Sequence, residues 1–268
     1  MVTAEKTLLS EYLDQGYTVV RGLIDPEEDL RPVLDEYNEV LDGVMKRLFD
    51  EGRVSSAFSN LPFGDRISKL ISETGTAYIG HFSPKSSVSG VKNGAPAHMG
   101  PAVFQLLRNE KVMDVAEMIL GPEISCNPLN NVRIKPPEKL LPKEITESYS
   151  PNVGKTNWHQ DLPYYTVDGD QMCVLWLALD PIPAEISLQF VRGSHRWGRW
   201  FEPTRTTEGT SWYEDSPYEP VPDIDGEPDG HRILSRALEP GDAIVVYSGR
   251  DAFARDHDGI WALASGAR

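Results

Sequence analysis

TNWHQD (residues 156–161), MCVLWLAL (172–179), SLQFVRGSH (187–195) and ALEPGDAIVVYSG (237–249) are short runs rich in β-branched and aromatic residues. Each is bounded by Gly, Pro, Asp or Ser. NNVRIK (130–135) precedes them and has the same character. Strands at this spacing, with no helical stretch between them, predict a β-sandwich or barrel rather than parallel βαβ units.

The segment SWYEDSPYEPVPDIDGEPDG (211–230) is acidic and dense in proline, so it cannot supply regular ladder donors. It reads as a long loop, about 205–232, outside the β-core. Upstream, Leu8, Leu9, Tyr12 and Leu13 recur at helical spacing before the β-rich GYTVVRGLI (16–24). Asp25-Pro26-Glu27-Glu28 is a helix start, with an N-cap acceptor, a first-turn proline and acids at the positive dipole end. Leu30, Val33, Leu34, Tyr37, Val40, Leu41 and Val44 then mark an amphipathic helix. Residues 52–100 read as loops with one short helix over 65–71. A longer helix is expected over 101–120, stopped by Gly121-Pro122. The whole chain, 1–268, is thus expected to be one mainly β domain. Residues 1–121 form a mostly helical part, and 122–268 form the core.

Composition narrows the class. With 40% hydrophobic and 25% charged residues, 268 residues suffice to bury a core without staples. Cys126 and Cys173 are too few for a disulfide framework, which points to a reducing, cytoplasmic setting. The first residues lack a basic stretch followed by an apolar one, so no signal peptide is expected. No segment is long and apolar enough to cross a bilayer. A net charge of −15 disfavours nucleic acid and anionic membranes as partners, because both would be repelled. A small molecule remains the expected partner.

The chemistry concentrates in Trp158-His159-Gln160-Asp161. In a strand, residues i and i+2 project from one face, so His159 and Asp161 can converge on a metal ion. One further imidazole would complete a two-histidine, one-carboxylate face that leaves coordination positions open, the pattern of non-heme Fe(II) sites. His-x-Asp alone is weakly specific; an aromatic-flanked strand start, a wholly apolar strand and a Gly-Ser-His turn following it add weight. His195 of that turn is expected to bond backbone rather than metal. His81, His98 and His231 fall in loop-like segments and carry no assigned role. Trp197, Trp200, Phe201, Trp212 and Tyr213 border the acidic loop and read as its anchor.

From about Gly16 to Gly241 the chain resembles the phytanoyl-CoA dioxygenase family of Fe(II)/2-oxoglutarate-dependent oxygenases. The resemblance rests on GYTVVRGLID (16–25), IKPP (134–137), WHQDLPYY (158–165), VLWLALDPIP (174–183), FVRGSHRWG (190–198) and LEPGDAIVV (238–246), in that order. It implies a double-stranded β-helix, or jelly roll, with helices packed outside. It implies Fe(II), 2-oxoglutarate and O₂, with ascorbate as reductant in vitro, and hydroxylation of a small organic substrate coupled to succinate and CO₂ formation. His159 and Asp161 match the family's first two iron ligands, Lys135 a lysine on the 2-oxoglutarate carboxylate, and Trp176 a tryptophan of the same pocket. No catalytic residue beyond the metal ligands is assigned. Asp161 also favours hydroxylation over halogenation, since related halogenases lack this carboxylate.

The sequence departs from the family in two places. Ala184-Glu185-Ile186-Ser187 replaces a usual Asn-Gly, a turn variant. The other departure concerns the third ligand, which the family places about eleven residues past the Gly-Asp of its PGD strand. That position is Ala252, counting from Gly241. The nearby histidine is His257, which stands eleven residues before Arg268, the family's spacing to the arginine that binds the far carboxylate of 2-oxoglutarate. Either His257 and Arg268 complete the site, or the chain is a jelly-roll homologue with an incomplete site, weak or inactive. A cupin-like metal enzyme that does not use 2-oxoglutarate is the third reading.

Overall fold

The structure is a computed structural model. It describes residues 2–76, 78–83, 96–98, 100–127, 130, 132–134, 143, 172–184, 187–191, 193–196, 233–234, 236–247 and 254–256. Among these run helix α1 (Val2–Gln15), strand β1 (Tyr17–Val20), helices α2 (Arg31–Asp50), α3 (Phe63–Thr74), α4 (Pro101–Leu107) and α5 (Glu110–Leu120), then strands β2 (Cys173–Leu177), β3 (Leu188–Val191), β4 (Ile233–Leu234), β5 (Ala243–Tyr247) and β6 (Ala254–Asp256).

The strands form two antiparallel three-stranded sheets, ordered β1-β5-β2 and β4-β3-β6. In the first sheet Tyr17 pairs with Val246 and Val19 with Ile244, while Val174 pairs with Val246 and Trp176 with Ile244. Cross-strand partners share a face, so Tyr17, Val19, Val174, Trp176, Ile244 and Val246 line one side. That side meets the second sheet: Phe190 of β3 joins the same apolar cluster and stacks on Tyr17, with ring centroids 4.5 Å apart and planes 10° from parallel. The opposite side carries Val20, Cys173, Leu175, Leu177, Ala243 and Val245. It packs against Tyr12 of α1 and Val112, Val115 and Ile119 of α5. The order of layers is therefore helices, first sheet, second sheet, set by the period-two alternation of β1, β2 and β5.

A second core joins α2, α3 and α4. Val33, Tyr37, Leu41, Val44, Met45 and Leu48 of α2 bury against Ile67, Leu70 and Ile71 of α3 and Val103 of α4, with Phe82 and Ile134. The start read at Asp25 is present: its carboxylate accepts the Glu27 and Glu28 N–H groups at 2.9 Å each. The chain first makes a π-helical turn over Pro26–Leu30 before α2 proper begins.

Three expectations need correction. The helix over 101–120 is two helices, because Asn109 caps a fresh start by accepting the Lys111 N–H at 3.0 Å. The short helix at 65–71 extends over Phe63–Thr74, since its apolar face continues and Gly75 ends it. The mainly β assignment is too strong: among the described residues, helix is the larger part. TNWHQD and the acidic segment of about 205–232 lie outside the described residues, and 132–134 of NNVRIK is not strand.

Candidate functional site

Trp176 is the one expected site residue that the structure describes. It lies on β2, in register with Ile244 of β5, on the face that looks between the two sheets, and it is only partly buried. Alternation puts its neighbours Leu175 and Leu177 on the helix-packed side. Trp176 itself packs in the apolar cluster between the two sheets. His159, Asp161, His257, Lys135 and Arg268 lie outside the described residues. Among the described residues, no group of three or more His, Cys, Asp or Glu side chains could hold a metal ion.

The strand end next to Trp176 is firmly set. Ala178 N–H donates to the Asp242 carbonyl at 2.9 Å, and Gly241 N–H donates to the Ala178 carbonyl at 2.9 Å. Asp242 itself is buried. Its Oδ1 accepts the Gly22 N–H at 2.8 Å, and its Oδ2 accepts the Glu239 N–H at 2.9 Å and Arg21 Nη1 at 2.6 Å. Burial would raise this carboxyl, but those three donors together hold it below its ordinary range. Gly241 has φ of +89°, and a Cβ there would lie 2.1 Å from the Ile24 carbonyl oxygen, so only glycine fits. The Pro-Gly-Asp sequence thus fastens the start of β5, and with it the register of Trp176, to the end of β1.

His195 behaves as expected for a turn histidine. Its Nε2 lies 2.9 Å from the Leu13 carbonyl, its ring packs on Tyr247, and Gly193 N–H donates to the Gln15 carbonyl at 3.0 Å. The Gly-Ser-His turn therefore docks on the α1–β1 corner. His98 is held by Glu36 through a 2.6 Å contact between Nε2 and Oε1.

Asp180 escaped the sequence reading. It stands three residues past β2 and is partly buried, and burial pushes its carboxyl up to about 7. In sequence, Asp before Pro reads as an ordinary turn, which is why it gave no signal.

Two packed sheets, with helices on the outer face of the first and a tryptophan on its inner face, describe a layered β-sandwich. The family model for phytanoyl-CoA dioxygenase (PhyH) matches residues 12–248. The chain belongs to this family of Fe(II)/2-oxoglutarate-dependent oxygenases. Among solved structures, it is similar to the non-heme α-ketoglutarate-dependent carbocyclase SnoK from nogalamycin biosynthesis. Identity there is 14%, with 94% of this chain and 78% of that chain covered, at a TM-score of 0.50. It is also similar to AviO1 from Streptomyces viridochromogenes Tue57, at 15% identity, 96% and 90% coverage and a TM-score of 0.46. No curated protein matches it in sequence. Among the described residues, no helix is long and apolar enough to cross a membrane.

Proposed function

We propose that the chain is an Fe(II)- and 2-oxoglutarate-dependent dioxygenase that hydroxylates a small organic substrate, built on a double-stranded β-helix that the two observed sheets form part of. The observation that carries this reading is the placement of Trp176 on the inter-sheet face, within the segment matched by the family. His159 and Asp161 would hold the metal, with His257 as the candidate third donor. Lys135 and Arg268 would hold the two carboxylates of 2-oxoglutarate, the arginine through its bidentate fork. When bound, the metal and 2-oxoglutarate together activate O₂, with release of succinate and CO₂ and transfer of one oxygen atom to a C–H bond. The chain's own part is to orient these groups and exclude water, and Trp176 is placed to wall the pocket. Succinate formed from 2-oxoglutarate with Fe(II), ascorbate and O₂ is the test. Metal binding without any 2-oxoglutarate turnover would refute the reading and leave an inactive homologue or a cupin-like enzyme.

A second reading is an incomplete and weak or inactive site: the family match ends at residue 248, and His257 and Arg268 lie beyond it. Fe(II) or Mn(II) titration of wild type against His257→Ala separates the readings, since equal affinity would exclude His257.

A further inference from the structure

Arg21, Arg31, Arg66 and Arg196 each have a carboxylate oxygen within 3.3 Å. Arg47 and Arg53 do not. Among the described residues, the carboxylate that approaches them is that of Glu51, 3.9 Å from Arg47 Nε and 3.9 Å from Arg53 Nη1. That distance is beyond hydrogen-bond reach, and a single carboxylate faces both guanidinium groups. The chain carries 41 acidic residues against 26 lysines and arginines, so carboxylates are plentiful, yet only this one comes near the pair.

The pair converges on a histidine. Arg47 stands in the last turn of α2, and its Nη2 lies 3.5 Å from Nε2 of His81, in the short turn Ile79–His81. A guanidinium only donates, so Nε2 of a neutral His81 is the acceptor of this long contact. Burial first, and then the Arg47 charge, hold the imidazole below its ordinary value. Tyr78 links His81 to the second arginine. Its ring centroid lies 6.0 Å from that of His81, and the Arg53 guanidinium stands 5.8 Å from it. Tyr78 takes a φ of +50°, uncommon for a bulky side chain, and backbone strain of this kind gathers at ligand sites. The charged and titratable groups around His81 are therefore Arg47, Glu51 and Arg53 from the end of α2, and Tyr78 from its own turn.

We propose that Arg47, Arg53 and His81 bind a tetrahedral oxyanion, either free phosphate or the phosphate group of a small molecule. The site does not depend on the oxygenase reading. An anion seated there accepts from both guanidinium groups, and His81 takes up a proton and becomes a further charged donor. Binding thus supplies the close acceptor that Glu51 does not.

The test is calorimetric titration of the full chain with sulfate, at an ionic strength held constant with chloride. Wild type should bind with a Kd of about 1 mM or below. Arg47→Gln and Arg53→Gln should each raise Kd about tenfold, whereas Arg108→Gln, at an arginine that packs on Phe104, should leave it unchanged. Sulfate keeps its charge between about pH 7.5 and 5.5, so any gain in affinity as pH falls over that range reports proton uptake by the protein. That gain is expected in wild type and should disappear in His81→Gln. Inorganic phosphate and glycerol phosphate are then compared: tighter binding of the ester assigns the site to a phosphorylated small molecule, and equal or weaker binding to the free ion. A role confined to the helix end, where cations suit the dipole, predicts no saturable binding. Absence of saturation in wild type, an unchanged Kd in both arginine variants, an equal loss in Arg108→Gln, or a pH dependence that survives in His81→Gln would each overturn the inference. Either arginine variant carries the test should the other fail to fold.

Discussion

Replacing Asp242 with Ala should cost the fold about 3 kcal/mol, an amount that follows from the carboxylate's partners. Two of its three donors are backbone N–H groups, those of Gly22 and Glu239, in part-buried positions. Each loses its acceptor in the Ala variant, at about 1–3 kcal/mol apiece. The third, Arg21, has a side chain 54% exposed and rehydrates, so its share is at most about 1 kcal/mol. In a chain of 268 residues, a loss near 3 kcal/mol lowers Tm by about 6–12 °C. Asp242→Asn keeps one acceptor but turns an amide N–H₂ toward a donor, so about half the loss is expected. The pH dependence has a definite sign. The folded-state pKa is depressed, so the stabilisation is fully present above the ordinary value of 3.8 and disappears as pH falls through the folded value. Urea unfolding of wild type and variant at pH 7 and across the acid range measures both quantities. A gap below about 1 kcal/mol at pH 7, or one that does not narrow on acidification, would refute the reasoning.

Three further outcomes are expected. Gly241→Ala should destabilise by at least about 3 kcal/mol in the same assay, since the new Cβ meets the Ile24 carbonyl on a positive-φ backbone; a loss under 1 kcal/mol would contradict that geometry. Asp180→Asn should stabilise the protein at pH 7 by on the order of 1 kcal/mol after discounting for a half-exposed group, because a raised carboxyl pKa makes wild type lose stability between pH 4 and about 7; parallel stability–pH curves would count against it. Asp161→Ala should abolish succinate formation and weaken Fe(II) binding while leaving the metal-free fold intact, and near-wild-type turnover would remove Asp161 from the metal site.

Much of the sheet arrangement was legible because strands advertise themselves by period. The runs around Val174, Phe190 and Val245 each alternate or stay apolar between turn residues, and each is a strand. The docking of His195 on backbone was legible for the same reason, since Gly-Ser-His is a turn. The break inside 101–120 was written in Asn109 followed by Glu110, a cap signature overridden by the helical periodicity on either side. Glu36 gave no signal at all: its acceptor role depends on His98, Ala102 and Val103, more than sixty residues away, and no local pattern encodes such a meeting. Asp242 belongs to a recognisable Pro-Gly-Asp motif, yet its clamp on Gly22 spans 220 residues.

The family match ends at residue 248, whereas β6 begins at Ala254. Lys135, His159, Asp161 and Trp176 all fall within the match, and His257 and Arg268 fall beyond it. The clamp at Gly241–Asp242 and the inner-face position of Trp176 depend on none of the last twenty residues. An incomplete C-terminal donor set would therefore leave the sandwich standing and act on ligand affinity alone. With two protein donors instead of three, metal binding weakens, and 2-oxoglutarate, which brings its own pair of oxygen donors, then contributes a larger share of the metal's coordination. Metal affinity that rises steeply with 2-oxoglutarate would mark a two-donor site, while affinity nearly independent of it would mark a site completed by the protein.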